Sequence, residues 1–224
     1  MQVFVLHIPK TGIGTLENVF NQRFSRPAPR FSWTQRPGLL GVDFSVHDLI
    51  VGHYPFQFAE RLRDPVIMTM FRDPVARVLS HWSYVHENGY HFDLTYTAWA
   101  KEHTLEDWLA SDYSEYAANN LMTRFLIDRV HARLPEAMHN LEQVDYIGFL
   151  DDWNGLQDTA DQFLEYVDRD KIKVDGRYNA SNDPIRLSRL KPETLADIQA
   201  RNALDILLYQ RARELMQERK AVRV

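Results

Sequence analysis

Residues 3–16 read VFVLHIPKTGIGTL. Val3, Phe4, Val5, Leu6 and Ile8 form an apolar run of the length expected for a buried strand. Pro9-Lys10-Thr11-Gly12-Ile13-Gly14-Thr15 ends that run with two glycines, two threonines and one lysine, and Leu16, Val19, Phe20 and Phe24 then recur at helical spacing. Strand, glycine-rich turn and helix in that order gather free backbone N–H groups and a helix N-terminus around one point, where donors and dipole both favour an anion. Lys10 adds a mobile positive charge, and Thr11 and Thr15 add hydroxyl donors. The order is not that of a Walker A loop, in which lysine closes the turn instead of opening it. A plain tight turn, with glycine serving the backbone and threonine the helix cap, is the alternative on this stretch alone.

A second stretch repeats the pattern. Residues 65–71 (PVIMTMF) read as a buried strand running straight into Arg72-Asp73-Pro74-Val75-Ala76-Arg77-Val78-Leu79-Ser80. Asp73 as N-cap and Pro74 at the first helical position start a helix, whose apolar stripe is Val75, Val78, Leu79, Trp82 and Val85. Ser80 lies roughly 10 Å along that helix, so Arg72 must fold back along it for both to hold one anion. Between the two stretches, residues 48–53 (DLIVGH) read as a further strand that ends at His53, with a turn at Tyr54-Pro55. Strands alternating with helices predict an α/β fold of three layers, α/β/α, around a central, mainly parallel sheet. Ligands of such sheets bind at the carboxyl ends of the strands, so Lys10, His53 and Arg72 are expected on one rim.

The 224 residues suffice for one sizeable core, and a single domain over 1–224 is expected. Hydrophobic residues at 45% and charged residues at 25% are ordinary for a globular protein. With no cysteine, disulfides, thiolate metal sites and a cysteine nucleophile are excluded. No apolar run approaches the roughly 20 residues that span a bilayer. A strand that begins almost at residue 1 leaves no room for a signal peptide, so a cytoplasmic protein is expected. A net charge of -5 argues against a nucleic-acid polymer as partner.

Locally the charge differs. Residues 18–42 hold Arg23, Arg26, Arg30 and Arg36 and no acid, with Pro27, Pro29, Pro37 and Gly38 among them. This stretch reads either as a solvated loop or as a basic lid over an anionic ligand, with Phe31 and Trp33 as anchors or stacking groups. Residues 86–113 carry His86, His91 and His103 among aromatics, at spacings that fit no metal motif, and no metal is expected. Residues 115–130 read as one helix, on which Asn120 and Arg124 lie one turn apart. A short helix over 134–141, a fourth strand over 144–149 and an amphipathic helix through Leu156, Ala160, Phe163, Leu164 and Val167 follow. Residues 177–184 (RYNASNDP) form a polar turn, and 191–219 read as one long helix.

Taken together, the PKTG-hydroxyl turn and the Arg-Asp-Pro-x-x-Arg-x-x-Ser segment resemble the sulfotransferases that use 3′-phosphoadenosine 5′-phosphosulfate (PAPS). The resemblance is to the carbohydrate enzymes of the heparan sulfate 2-O-sulfotransferase type, whose usual turn is closer to PKTGGTS; Ile13-Gly14-Thr15 departs from it by one hydroxyl. The resemblance implies a P-loop-like sulfotransferase fold, with Lys10, Thr11, Gly12, Ile13, Gly14, Thr15 and Leu16 around the 5′-phosphosulfate and Arg72 and Ser80 on the 3′-phosphate. It further implies Asn179 and Ser181 in a loop closing over the donor, and a structural role for the 144–152 segment, where Asp151 or Asp152 takes the place of a common acid. His53 matches the family's general base, for which an imidazole with an ordinary pKa near neutrality is suited. Tyr54, Asn120 and Arg124 are implied as acceptor contacts, with His81, His86 and His91 as alternative bases. The acceptor is expected to be a hydroxyl of a carbohydrate, glycolipid or small metabolite, and PAP the nucleotide product. A nucleotide or small-molecule kinase of related fold and an inactive nucleotide-binding module are the competing readings.

Overall fold

The structure, a computed structural model, describes residues 1–29, 42–89, 93–151, 153–176 and 187–222. Four strands form one sheet: β1 (Gln2–Leu6), β2 (Leu49–Gly52), β3 (Pro65–Phe71) and β4 (Tyr146–Phe149). All neighbours are parallel and the spatial order is β2-β1-β3-β4. Val5 pairs with Val51 on one side and Met68 on the other, and Thr69 pairs with Ile147. Strands buried on both faces need no alternation of apolar and polar residues, which is why VFVL, LIV and IMTMF are so nearly continuous.

The two faces of the sheet separate by residue parity. Val3, Val5, Val51, Met68 and Met70 face α1 (Ile13–Phe20) and α8 (Trp153–Tyr166), packing on Leu16, Phe20, Leu156 and Phe163. Phe4, Leu6, Ile50, Ile67 and Phe71 face the other layer, made by α6 (Leu121–Phe125), α7 (Leu134–Glu142) and α10 (Ala203–Val222). The result is a three-layer α/β/α architecture around an all-parallel sheet. A third apolar cluster joins α2 (Pro74–Asn88), α3 (Leu94–Glu102), α4 (Leu105–Ala110) and α9 (Pro192–Arg201) around Leu79, Trp82, Trp108 and Ile198. Asp73 caps α2 as expected, its Oδ1 accepting from the Ala76 amide at 2.8 Å, with Pro74 opening the helix.

Two helices expected to be continuous are broken. Residues 115–130 split into α5 (Tyr113–Ala117) and α6, because Asn120 takes a left-handed φ of 47°. Its Oδ1 accepts from the amides of Leu204 (2.9 Å) and Asp205 (3.1 Å), so a side chain that would have decorated one helix caps another. The helix expected over 191–219 breaks at Asn202 into α9 and α10. There the Asn202 amide group donates to the carbonyls of Ala118 (2.7 Å) and Ile198 (2.8 Å). Among the described residues, no helix is long and apolar enough to cross a membrane.

Candidate functional site

The turn after β1 is held by its own atoms. His7 continues the ladder by one bond, its amide donating to Gly52 O at 3.1 Å. The Thr11 hydroxyl donates to Ile8 O at 2.7 Å and is fully buried. Thr11 therefore closes the turn and has no proton left for an anion, contrary to its expected role as a hydroxyl donor. Lys10 and Gly12 both adopt left-handed φ values, 69° and 93°. At Gly12 a side chain would be strained on two counts, since a Cβ would also crowd Leu156 Cδ1 at 3.1 Å. Gly12 is the N-cap of α1, and its carbonyl accepts from the amides of Thr15 (3.0 Å) and Leu16 (3.3 Å). The amides of Ile13 and Gly14 are thus the ones that head the helix. The side chains of Ile13, Thr15 and Leu16 are buried, and Leu16, expected at the nucleotide, gives its side chain to the core.

Arg72 follows β3 directly and turns towards this loop. Its Nη1 donates to Lys10 O at 3.3 Å, which places the ends of β1 and β3 side by side. Arg77, Ser80, His81 and Tyr84 share a stripe of α2 at i, i+3, i+4 and i+7. The Lys10 ammonium sits 4.2 Å from the centre of the Tyr84 ring. Arg77 is fully buried; its Nη2 donates to Ala117 O at 2.6 Å, while its Nε and Nη1 find no hydrogen-bond partner among the described residues.

The electrostatics of these groups agree in direction. Burial, then repulsion from Arg72, lowers the Lys10 ammonium to about 8, against a smaller upward pull from Glu87. Burial likewise lowers Arg72, partly offset by Asp73. Arg77 falls to about 10 through burial, opposed by Asp205 and deepened by Arg72. His81 falls to about 3 through burial and then the charges of Arg77 and Lys10, so its ring is neutral at physiological pH. Several cations held in a partly dehydrated place, each weakened by its neighbours, are what an anion would relieve.

His53 stands at the end of β2 on the same rim. Its Nδ1 lies 3.0 Å from His7 O. A carbonyl only accepts, so Nδ1 carries the hydrogen and the lone pair of the neutral ring is on Nε2. The ring stacks on that of His7 at 4.4 Å and meets the edge of Phe125 at 6.1 Å. The His53 carbonyl accepts from Nη1 of Arg129. Arg129 is buried with a left-handed φ of 69°, its Nη2 and Nε reach the Tyr116 hydroxyl at 3.0 and 3.3 Å, and its guanidinium lies 4.5 Å over Phe125. The sequence reading passed over His7, Tyr84 and Arg129. His7 had a signal, since it follows β1 as His53 follows β2; Arg129 had none, being one polar residue in a loop.

Several expected residues lie elsewhere or serve the fold. Tyr54 is core: its ring stacks on Phe58 at 4.2 Å, and burial pushes its phenol well above the ordinary range. Asn120 caps α10, as described. Arg124 lies 5.8 Å over the Tyr116 ring, on the side of the rim that Arg129 joins to His53. His86 donates from Nδ1 to Ala100 O at 2.7 Å and so braces α3. Arg23 donates to the carbonyls of Asp170 and Lys171, at the far end of α1 from the turn. The Arg26 amide donates to Asp48, which precedes β2. Both therefore sit at the amino edge of the sheet, not over its rim as a lid. Arg30, Phe31, Trp33, Arg36, His91, Asp152, Asn179 and Ser181 lie outside the described residues. Among the described residues no group of three or more histidine or acidic side chains is placed to hold a metal ion. Compared with known proteins, the chain matches no family model and no curated protein.

Proposed function

We propose that the protein is a PAPS-dependent sulfotransferase with a P-loop-like fold that moves a sulfuryl group to an acceptor hydroxyl, on a carbohydrate, a glycolipid or a small metabolite. One observation carries the reading: Arg72 Nη1 meets Lys10 O at 3.3 Å, so two dehydrated cations and the head of α1 share one rim. The residues present fit a doubly phosphorylated nucleotide. Lys10, the Ile13 and Gly14 amides and the helix dipole would hold its 5′ end, and Arg72 with Ser80 its 3′-phosphate.

The donor, when bound, supplies a sulfuryl group whose S–O bond to the 5′-phosphate breaks as the acceptor oxygen bonds to sulfur. His53 takes the proton of the acceptor hydroxyl on Nε2, the nitrogen that carries the lone pair when Nδ1–H donates to His7 O. Lys10 neutralises the charge that grows on the departing phosphate oxygen. Arg129 and His7 hold the backbone and ring of His53 in place, so positioning and electrostatics carry the catalysis.

The test is a panel of hydroxyl acceptors incubated with radiolabelled PAPS, with wild type beside His53→Ala and Lys10→Ala. Transfer that is lost in both variants, with PAP binding retained in His53→Ala, is the expected result. Unchanged turnover in His53→Ala removes that residue as the base. PAP binding with no transfer to any acceptor leaves a nucleotide-binding module, and magnesium-dependent turnover of ATP would mark a kinase.

A further inference from the structure

Lys10 has a flexible four-carbon stem, yet its ammonium is set 4.2 Å from the centre of one aromatic face. That face belongs to Tyr84, which is half-buried on α2, one turn beyond Ser80 and on the stripe that includes Arg77 and His81. Burial and Arg72 disfavour the charge of Lys10 here, against a smaller pull from Glu87. An aromatic face attracts an ammonium by its quadrupole and brings no net charge of its own. It can therefore steady Lys10 without cancelling the positive field that an incoming anion would follow.

We propose that Tyr84 is a positioning residue whose ring parks the Lys10 ammonium while the turn holds no anion and yields it when a phosphosulfate-bearing nucleotide arrives. This rests on the reading of Lys10 as the group that meets the donor's 5′ end. A ring quadrupole holds an ammonium less firmly than the full charge of a phosphate, so the exchange runs towards the ligand. Parking also removes the search over rotamers that a free lysine stem would otherwise make at each encounter.

The test reads Lys10 directly. Lysines of the whole chain are dimethylated with ¹³C-formaldehyde, and the Lys10 signal is the one lost in Lys10→Arg. Methyl groups over an aromatic face are shifted upfield by its ring current. The expected result is an upfield Lys10 signal in the wild type and in Tyr84→Phe, an ordinary one in Tyr84→Leu, and loss of the upfield shift in wild type on saturation with PAP. An identical signal in wild type and Tyr84→Leu overturns the parking. PAP bound by calorimetry with the Lys10 signal unmoved overturns the exchange while leaving the nucleotide reading intact. If PAP does not bind at all, the nucleotide reading fails and the exchange fails with it, whereas the comparison of wild type with Tyr84→Leu still decides the parking.

Discussion

The guanidinium of Arg72 donates to the backbone carbonyl of Lys10 at 3.3 Å, across the neighbouring ends of β3 and β1. The two side chains belong to stretches more than sixty residues apart; Arg72 lowers the proton affinity of Lys10 and Arg77, and Lys10 that of His81. Two adjacent strand ends in a parallel sheet leave their following residues little choice but to meet. Cations brought together in this way are a strain on the free protein, and that strain makes the predictions that follow.

Lys10→Met is expected to stabilise the protein while abolishing the proposed sulfuryl transfer. Methionine keeps an apolar stem and removes a charge that burial penalises. At 1.36 kcal/mol per pKa unit, the lowering of Lys10 from 10.5 to about 8 bounds the gain at about 3 kcal/mol. Partial exposure to solvent reduces this to about 1 kcal/mol, or roughly 2–4 °C in melting temperature. Thermal melts at pH 7 check it; an unchanged or lower midpoint would mean that the charge is not under strain.

The same group sets a pH dependence. Lys10 loses its proton at about 8 in the folded chain and at 10.5 in the unfolded one, so between these values the unfolded state holds more protons. Its contribution to stability is therefore unfavourable below about 8 and is relieved as pH rises towards 10.5. The gap in melting temperature between Lys10→Met and wild type should shrink between about pH 7.5, half a unit below that onset, and about pH 9.5, well inside the window. Over the same range PAP affinity should fall, because a neutral amine offers an anion no charge. A constant gap would place Lys10 outside this titration.

Gly52→Ala should destabilise the fold and disturb His53. A Cβ at this position would lie 2.5 Å from Cε2 of Tyr54, whose ring is itself stacked on Phe58 and has no room to retreat. Overpacking of this kind costs about 1–3 kcal/mol, measurable by urea denaturation, and it falls on the residue next to the proposed base. Full stability in Gly52→Ala would show that the Tyr54 ring moves freely.

Asn120→Gly separates a structural role from a substrate contact. Glycine keeps the left-handed backbone and removes the Oδ1 that accepts from Leu204 and Asp205. Loss of these two bonds should cost about 1–3 kcal/mol, with no change in KM for the acceptor. A raised KM at unchanged stability would return Asn120 to the acceptor site.

Much was legible from local pattern alone. The strand bounds 65–71, the Asp73-Pro74 helix start and the buried stripe Val75, Val78, Leu79, Trp82 and Val85 all follow from propensity and periodicity, which act over a few residues. So does the shared rim of Lys10, His53 and Arg72, because a parallel sheet puts every strand's carboxyl end on one side. The breaks at Asn120 and Asn202 escaped that reading, since each side chain serves a partner more than eighty residues away.

By itself, then, the sequence determined which residues reach the rim: strand, turn and helix are written in short-range pattern, and the α/β topology does the rest. Only the tertiary structure decided what they do there. It turned Tyr54 into the core, spent the Thr11 hydroxyl on Ile8, gave His53 its Nε2 lone pair through His7, and brought Arg129 to the His53 carbonyl across 76 residues of chain. The physical reason is that hydrogen bonds and burial are settled by whichever groups the packed layers bring within reach, and no local pattern records those partners.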